Sequence, residues 1–331
     1  MTATPAASEA SLIVRFRSWV AWAIAIAAVL YVAGSVWAGF DKVGAALRHY
    51  AWPSYAIVLA LTLVNYGLRF WKWHYLTHRL GVRLPLNESA IVFASGLAMV
   101  ISPGKAGELL KPYLVRERTG VPMTRTIPAL ITERLTDGIA ALILAAISVS
   151  TYAGEHASWV YGTIGFIAVG LAILAHGGAS LAILHLLQRL PGVGRFATRL
   201  EEMYGAMRLC LAPGPLFLTL GASIVAWGAE CVGYKIVFAG FGFDASLDLS
   251  TFLYAFATAA GGLMPGGIGV ADSILVGLPP QFVPGLDVGT AVASALLIRV
   301  ATLWFGVLIG AVALVYAAKL LDRPIGSPPV V

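Results

Sequence analysis

Hydrophobic residues fall into long, almost uninterrupted runs along this chain, separated by short polar segments. A helix needs about 20 mainly apolar residues to cross a bilayer, and several runs reach that length. Spanning β-strands would instead alternate in pieces of about 10 residues, a pattern that is not visible. The pattern predicts an all-α polytopic membrane protein with clear spans at Trp19–Phe40, Trp52–Phe70, Thr126–Tyr152, Trp159–Leu187, Pro215–Ala239 and Val288–Ala318.

Two further apolar stretches, Asn87–Leu114 and Ser250–Phe282, are interrupted by Pro and Gly in their middles. Arg15 and Arg17 precede the first span and place the N-terminus in the cytoplasm by the positive-inside rule. Most later Lys and Arg stay cytoplasmic only if both stretches are re-entrant hairpins, because one full crossing would invert every later loop. We therefore predict six full spans and two re-entrant hairpins, with both termini in the cytoplasm.

This count treats Lys72, Lys111 and Arg118 as cytoplasmic boundary residues and leaves Lys42 and Arg48 as the outer Lys and Arg residues. The asymmetry favours the orientation given above.

The chain is expected to form one membrane domain with short tails. Residues 19–40 are too long and too rich in Trp for a cleaved signal peptide, so we interpret them as an uncleaved anchor. The predicted divisions are a disordered tail at 1–14, a membrane domain at 15–320 made of repeats at about 15–153 and 157–320, and a tail at 321–331.

One sizeable polar connection, Leu186–Pro213, has two interpretations that stay open. Its arginines alternate with apolar residues, as in an amphipathic helix on the inner leaflet. A solvated loop whose positive charges fix the topology accounts for the same residues.

Composition excludes several classes of protein. Of 331 residues, 59% are hydrophobic and 11% charged, whereas a soluble domain carries about 25% charged residues. The net charge of +6 does not indicate a nucleic-acid partner, because the basic residues lie between hydrophobic runs and form no single stripe. Two cysteines, Cys210 and Cys231, make no disulfide framework, and the six histidines show no metal-ligand spacing. We predict no cofactor and no metal site.

The interrupted stretches carry a repeated motif, Pro-Gly-x-x-Gly with an acidic residue shortly after it. In both halves an arginine then appears within the next span: Arg134 is 26 residues past Glu108, and Arg299 is 27 residues past Asp272. The first hairpin is predicted to enter from the cytoplasm and the second from outside, which is the signature of an inverted-topology repeat. The motif residues proposed to form the hairpin backbone are Pro103, Gly104, Gly107, Pro265, Gly266, Gly267 and Gly269.

These breaks predict a polar site near the membrane midplane. Pro removes a backbone donor and Gly permits unusual backbone angles, so each motif ends a helix and exposes polar backbone groups. In lipid, such groups must face protein or a water-filled cavity. A helix that begins after the break points its amide end at that cavity and favours an anion. The simpler alternative is that Pro and Gly only kink two crossing helices.

Ionisable residues within membrane segments are the candidate site, because they are costly there and mark function by default. We expect Glu108 to pair with Arg134 and Asp272 to pair with Arg299. Glu133 needs a partner from another helix, for which Lys105, Lys111 and Arg299 are the available cations. The candidate substrate-binding residues are Lys105, Glu108, Lys111, Glu133, Arg134, Asp137, Asp272 and Arg299.

Two roles for these charges stay open. They could neutralise one another and pin the hairpins, or the arginines and Lys105 could hold a phosphate or other anionic head group. Arg69 and Lys235 lie near span ends and are expected to snorkel. Glu230 lies in the middle of a span and is either a proton-coupling site or a neutral carboxyl bonded to a neighbouring helix.

Three sequence blocks together resemble a known family. They are residues 102–113, the Glu133-Arg134-x-x-Asp137 turn, and residues 264–272 followed by Arg299. The chain is similar, from about residue 15 to 320, to the membrane domain of lysylphosphatidylglycerol synthase/flippases of the multiple peptide resistance factor type, as a stand-alone member without the soluble synthase domain. It departs from the family in having Asp272 where Glu is more common.

This resemblance implies a non-enzymatic flippase of the bacterial inner membrane that moves lipids between leaflets. The implied partners are phospholipid, glycolipid, polyprenyl-linked or hopanoid lipids, and a lipid-modifying enzyme. Two alternatives are a membrane-embedded enzyme acting on a lipid-linked substrate, with Glu108 or Asp272 as the base, and an accessory subunit of a lipid-modifying enzyme.

Overall fold

The computed structural model describes residues 40–102, 107–152 and 197–321, and every regular element in these ranges is helical. The helices are α1 Phe40–His49, α2 Trp52–Arg79, α3 Leu86–Ala98, α4 Leu110–Thr119, α5 Met123–Tyr152, α6 Ala197–Cys210, α7 Pro213–Gly240, α8 Leu247–Ala260, α9 Val270–Gly277, α10 Pro279–Phe282, α11 Val288–Arg299 and α12 Phe305–Leu321. Two predicted spans lie outside the described residues, Trp19–Phe40 (apart from Phe40) and Trp159–Leu187. Both predicted tails also lie outside them, apart from Leu321, and so do Pro103, Gly104 and Lys105.

Two of the described helical segments are long and apolar enough to cross a membrane, namely Pro213–Gly240 and Val288–Ala318. They match two predicted spans. A third is possible if α1 and α2, which meet at a bend of 86°, are counted together. The predicted span Trp52–Phe70 lies within the 28-residue helix α2, which continues to Arg79. Thr126–Tyr152 lies within the 30-residue helix α5.

The broken segments double back on themselves. Glu88 near the start of α3 and Arg118 near the end of α4 form an ion pair. In the other segment, the ring of Phe252 in α8 contacts the ring of Phe282 in α10 edge to face. We call the segment from α3 to α4 the first hairpin and the segment from α8 to α10 the second. The breaks run through short 3₁₀ turns at Met99–Ile101, Gly261–Leu263 and Pro265–Gly267.

The order of elements recurs in the two parts of the described chain. Helices α2 and α7 each have 28 residues, and the first arms of the hairpins, α3 and α8, have 13 and 14. A short helix precedes each long one, α1 before α2 and α6 before α7. The recurrence is consistent with the predicted repeat, whose inverted orientation stays a prediction.

Packing interlocks the two parts. Helix α2 packs against α7, while α3 packs against α12 and α8 packs against α5, so each hairpin leans on the last long helix of the other part. The two breaks also touch, through the turns Met99–Ile101 and Pro265–Gly267. The largest buried side chains include Trp73, Tyr234 and Phe238.

Helix α11 begins at Asp287, whose side chain accepts hydrogen bonds from the backbone amides of Gly289 and Thr290. Partial burial raises the pKa of this carboxyl, but hydrogen bonds from the Thr290 hydroxyl and these amides outweigh it and lower the pKa overall. The cap fixes the register of the helix that carries Arg299.

Gly310 sets the closest approach of α12 to α3. A methyl group added there would lie 2.8 Å from Ala98 Cβ and 2.9 Å from Ala94 O, so the helix would have to move. We expect Gly310→Ala to destabilise the fold by about 1–3 kcal/mol through overpacking, seen as a lower unfolding temperature in detergent micelles.

Gly221→Ala is the matched control, because nothing lies within 4 Å of an added methyl group on that exposed position of α7. Its intrinsic effect on a helix is stabilising. Equal unfolding temperatures for the two variants would contradict the close approach of α12 to α3.

Candidate functional site

Charged side chains from α2, α5 and the first hairpin meet in one buried group, which we call the charge cluster. Its described members carry four positive and three negative formal charges. They are Arg69 and Lys72 from α2, Glu108 from the break, Lys111 from α4, and Glu133, Arg134 and Asp137 from α5.

Helical spacing explains why α2 and α5 contribute together. Residues three or four apart share a helix face, so Arg69, Lys72 and Trp73 point the same way, as do Glu133 and Asp137. Since α2 contacts α5, the cationic face meets the anionic one.

Lys72 is fully buried at the centre of this contact. Its ammonium lies 2.5 Å from Asp137 Oδ1 and also donates to Thr136 Oγ1, Ser223 Oγ and the Glu133 carbonyl, at 3.1, 2.7 and 3.2 Å. The prediction that Lys72 is a boundary residue is wrong, because α2 runs on and turns this side chain inward. Ser223 also donates to Asp137 Oδ1 at 2.9 Å and thereby brings α7 into the cluster.

Glu133 finds its partner from another helix in Lys111, whose Nζ lies 2.5 Å from Glu133 Oε2. The same ammonium lies 4.5 Å from the ring centre of Trp73 and 5.4 Å from that of Phe93, within the range of cation–π attraction. Gly96 leaves room for the lysine, since a methyl group there would lie 2.7 Å from Lys111 Cδ. Lys111 is therefore a buried residue and not a cytoplasmic boundary residue.

Arg134 joins the cluster to the first break. Its Nε lies 2.6 Å from Glu108 Oε2, so this predicted pair is present, and Nη1 lies 3.7 Å from Asp137 Oδ2. The Arg134 side chain is 26% exposed, whereas every other described member of the cluster is at most 7% exposed. It is therefore the cluster member most open to a ligand.

Arg69 does not snorkel as predicted but turns into the cluster. Its guanidinium contacts are long, 3.5 Å to Asp137 and 3.7 Å to Glu133. Nε and Nη2 are buried and have no hydrogen-bond acceptor within the described chain. The guanidinium carbon lies 5.8 Å from the ring centre of Trp227 on α7.

The second hairpin holds its own, separate pair. Arg299 Nε lies 2.8 Å from Asp272 Oδ1, as predicted. Nη2 of the same arginine donates to the Gly266 carbonyl at 2.6 Å, and Asp272 Oδ2 accepts from the Gly269 amide at 2.9 Å. Gly266 has φ of 59°, a left-handed conformation that favours glycine. Arg299 and Asp272 thus hold the backbone of the break. Neither residue forms a described salt bridge with a member of the charge cluster.

The remaining motif residues lie in the breaks. Pro265 opens a 3₁₀ turn in which Gly267 has φ of 71°. In the first break, the Gly107 amide donates to Ser102 Oγ at 2.8 Å. Both breaks are therefore held by hydrogen bonds that compensate for interrupted helical bonding.

Glu230 is buried on α7 and accepts a hydrogen bond from the Tyr254 hydroxyl of α8 at 2.6 Å. This is the contact with a neighbouring helix that one of its two interpretations requires. It leaves the proton-coupling interpretation open, because the same bond forms with either protonation state.

Sequence reasoning missed one buried pair, Glu88 with Arg118. The bond is bidentate, with Arg118 Nε 2.9 Å from Oε2 and Nη2 2.7 Å from Oε1. The count of spans from the N-terminus assigns Arg118 to a cytoplasmic connection and gives it no partner. The signal was the acidic residue in the first turn of α3 opposite a basic one in the last turn of α4.

Within the described ranges, no group of three or more potential His, Cys, Asp or Glu ligands could hold a metal ion. The described members of the cluster combine four cations with three carboxylates at low exposure, and the planar guanidinium of Arg134 lies at its open edge.

A family model described as the lysylphosphatidylglycerol synthase TM region matches residues 19–310, which is most of the chain. The chain belongs to this family. The resemblance drawn from the two Pro-Gly blocks and the Glu133-Arg134-x-x-Asp137 turn is thereby confirmed.

This member of the lysylphosphatidylglycerol synthase TM family is also 24% identical over 323 residues to a UPF0104 membrane protein of Methanothermobacter thermautotrophicus (strain Delta H). The aligned region covers 90% of this chain and 94% of that protein. Together with the apolar helices, the matches identify a helical protein of a membrane family.

Glu88 and Arg118 give a test of how the first hairpin is held in this family member. Breaking a buried pair costs about 3–5 kcal/mol, because the remaining charge has no partner. We expect Glu88→Leu and Arg118→Leu each to destabilise strongly and the double variant to lose less than their sum, in chemical unfolding in mild detergent.

Arg116 and Glu117 provide the control on the same helix. Their contact is 4.0 Å long and their side chains are 58% and 35% exposed, so the corresponding cycle should give a coupling energy of about 0–1 kcal/mol. Additive losses at Glu88 and Arg118 would show that this pair does not hold the hairpin together.

Proposed function

We propose that this protein moves a lipid with a polar, anionic or lipid-linked head group between the two leaflets of the membrane. The head group passes between the two hairpins beside the charge cluster, and the acyl or prenyl tails stay in the bilayer. No chemical reaction is part of this proposal. Membership of the lysylphosphatidylglycerol synthase TM family supports it.

The single observation that carries the proposal is the position of Arg134. It combines 26% side-chain exposure with a place in a cluster whose described members have one positive charge in excess. A guanidinium binds phosphate through two parallel hydrogen bonds. The attraction is stronger in surroundings that contain little water, because the dielectric constant there is low. Arg134 is thus suited to bind a phosphate. Glu108 and Asp137 compensate its positive charge in the described arrangement.

The hairpin breaks supply the path. Backbone groups at a broken helix must face protein or a water-filled cavity, so the breaks favour a polar route through the membrane once the hairpins part. In the described conformation the breaks touch, and Ile101, Leu303 and Val307 form a small buried apolar group beside Gly266. Movement of a head group therefore requires the two hairpins to separate at this contact.

The membrane arrangement belongs to the same proposal. We infer six spans and two re-entrant hairpins in an inverted repeat, with both termini in the cytoplasm of a bacterial cell. The recurring helix lengths and the reciprocal packing of each hairpin on the other part support it. Inverted repeats related in this way commonly enclose a midplane site.

A second role is favoured by one specific observation, that each carboxylate of the cluster already contacts a cation. Such a set pins the hairpin even if no lipid binds, as an accessory subunit of a lipid-modifying enzyme would require. The two roles differ in what happens when a charge and its partner are removed together.

The test uses purified protein in liposomes that contain fluorescent phosphatidylglycerol, with accessibility to an impermeant quencher as the readout. We expect Arg134→Ala to slow movement at least tenfold, which corresponds to about 1.4 kcal/mol, and Arg134→Lys to slow it less. Arg116→Ala, which removes an exposed cation from α4, should leave the rate unchanged.

The double variant Arg134→Met with Glu108→Gln separates the two roles. If the arginine binds the head group, movement stays slow although the unpaired carboxylate is gone. Restoration of the full rate would assign the pair to hairpin stability, and an unchanged rate in Arg134→Ala would exclude the proposed site. Unfolding temperature, measured for each variant, identifies any that lose activity by losing their fold.

A further inference from the structure

Helices α2 and α7 cross at equivalent positions. Asn65 is the fourteenth residue of α2 and Ala226 the fourteenth of α7, and the Asn65 amide donates to the Ala226 carbonyl at 3.0 Å. Arg69 and Glu230 are each the eighteenth residue of their helix. The crossing therefore places a buried cation and a buried acid at matching positions on its two sides.

Glu230 differs from the other buried acids of the described chain. Glu88, Glu108, Glu133 and Asp137 each have a salt bridge, whereas the contact described for Glu230 is the hydrogen bond from Tyr254. A carboxylate without a neighbouring cation is costly in the membrane interior. Among the buried acids of the described ranges, Glu230 is thus the one held by a hydrogen bond and not by an ion pair.

Arg69 is the cation best able to reach it. Its two ion-pair contacts, 3.5 and 3.7 Å, are longer than hydrogen bonds, and two of its nitrogens have no acceptor among the residues that the structure describes. Its guanidinium already faces the Trp227 ring, which is three residues before Glu230 on α7. Lys72 and Lys111, by contrast, are held at 2.5 Å by their carboxylates.

Groups facing Glu230 come from every helix packed around it. They are Tyr66 and Arg69 from α2, Asp137 from α5, Tyr254 from α8 and Arg299 from α11. Arg299 is bound to Asp272 and to the Gly266 carbonyl. Arg69 therefore has the weakest competing contacts among these cations.

We propose that Glu230 is the proton-binding site that couples lipid movement to a pH gradient, with Arg69 as the group that responds to it. When Glu230 releases its proton to one side of the membrane, its negative charge draws Arg69 away from Glu133 and Asp137. Those two carboxylates then share Lys72, Lys111 and Arg134 alone. The first hairpin is thereby held differently in the two protonation states.

This inference rests on the proposed lipid movement and adds the proton as its coupling ion. It follows the general rule that an ion couples to transport by binding the two conformations unequally. The movement of Arg69 between Glu230 and the cluster carboxylates is what makes proton binding differ between the two conformations. It takes place one helical turn from the crossing of α2 and α7.

The test measures labelled phosphatidylglycerol in liposomes at equal pH and across a gradient of one pH unit. At equal pH, wild type should equilibrate the label. Under the gradient, wild type should enrich it in one leaflet, up to about tenfold for one proton per lipid, and Glu230→Gln should show no enrichment. Glu117→Gln, which removes an exposed acid, should behave as wild type.

The outcomes separate the two proposals. Wild type that fails to equilibrate the label at equal pH overturns the proposed function and the coupling with it. Equilibration without enrichment under the gradient, or full enrichment by Glu230→Gln, overturns the coupling alone.

A second measurement covers the case in which Glu230→Gln does not fold. Infrared spectra of the detergent-solubilised wild type should contain a protonated-carboxyl band that disappears as pH rises, and Arg69→Met should move that change to higher pH because the charged form loses its partner. Absence of the band would exclude Glu230 as the proton-binding site. A band unaffected by Arg69→Met would exclude Arg69 as the responding group.

Discussion

The cost of an unpaired charge away from water governs the arrangement of this protein. Each ion removed from water loses several kcal/mol of hydration, which only a close partner and further hydrogen bonds offset. Lys72 illustrates the result: its ammonium has four oxygen partners from two helices, and its neighbour Ser223 adds a bond to the same carboxylate. Helices α2, α5 and α7 are fixed to one another because these groups cannot be satisfied separately.

The two hairpins meet this requirement by different means. The first is held by side-chain charge, through Glu108 with Arg134 and Glu88 with Arg118. The second is held mainly at its backbone, where Arg299 bonds the Gly266 carbonyl and Asp272 caps the helix that follows. The recurring order of elements therefore carries unlike chemistry, with the excess of positive charge on the side of the first hairpin. This difference is why the proposed head-group site is located at the first hairpin.

The crossing of α2 and α7 lies between these two regions and joins them. Asn65 bonds its counterpart position on α7, and Arg69 and Glu230 occupy equivalent places with opposite charge. An acid without an ion pair beside a loosely held cation is a bistable combination, since a single proton changes which partner the cation prefers. Packed helices respond to such a change by moving between discrete arrangements rather than by deforming gradually.

The sequence by itself determined the class of the protein, because hydrophobic runs of this length leave helices in a membrane as the physical solution. It also determined two ion pairs, Glu108 with Arg134 and Asp272 with Arg299, through matched spacing in the two Pro-Gly blocks. Only the tertiary structure placed Arg69 and Lys72 in the cluster and selected Lys111 among the cations available to Glu133. Arg69 and Lys72 lie near a predicted span end, but α2 continues beyond it, so both side chains point inward. Gly96 and Gly310 show the same limit, since the need for a missing methyl group arises from a neighbour that is distant in sequence. Local spacing reports which residues share a helix face; which face meets which is settled by packing between helices.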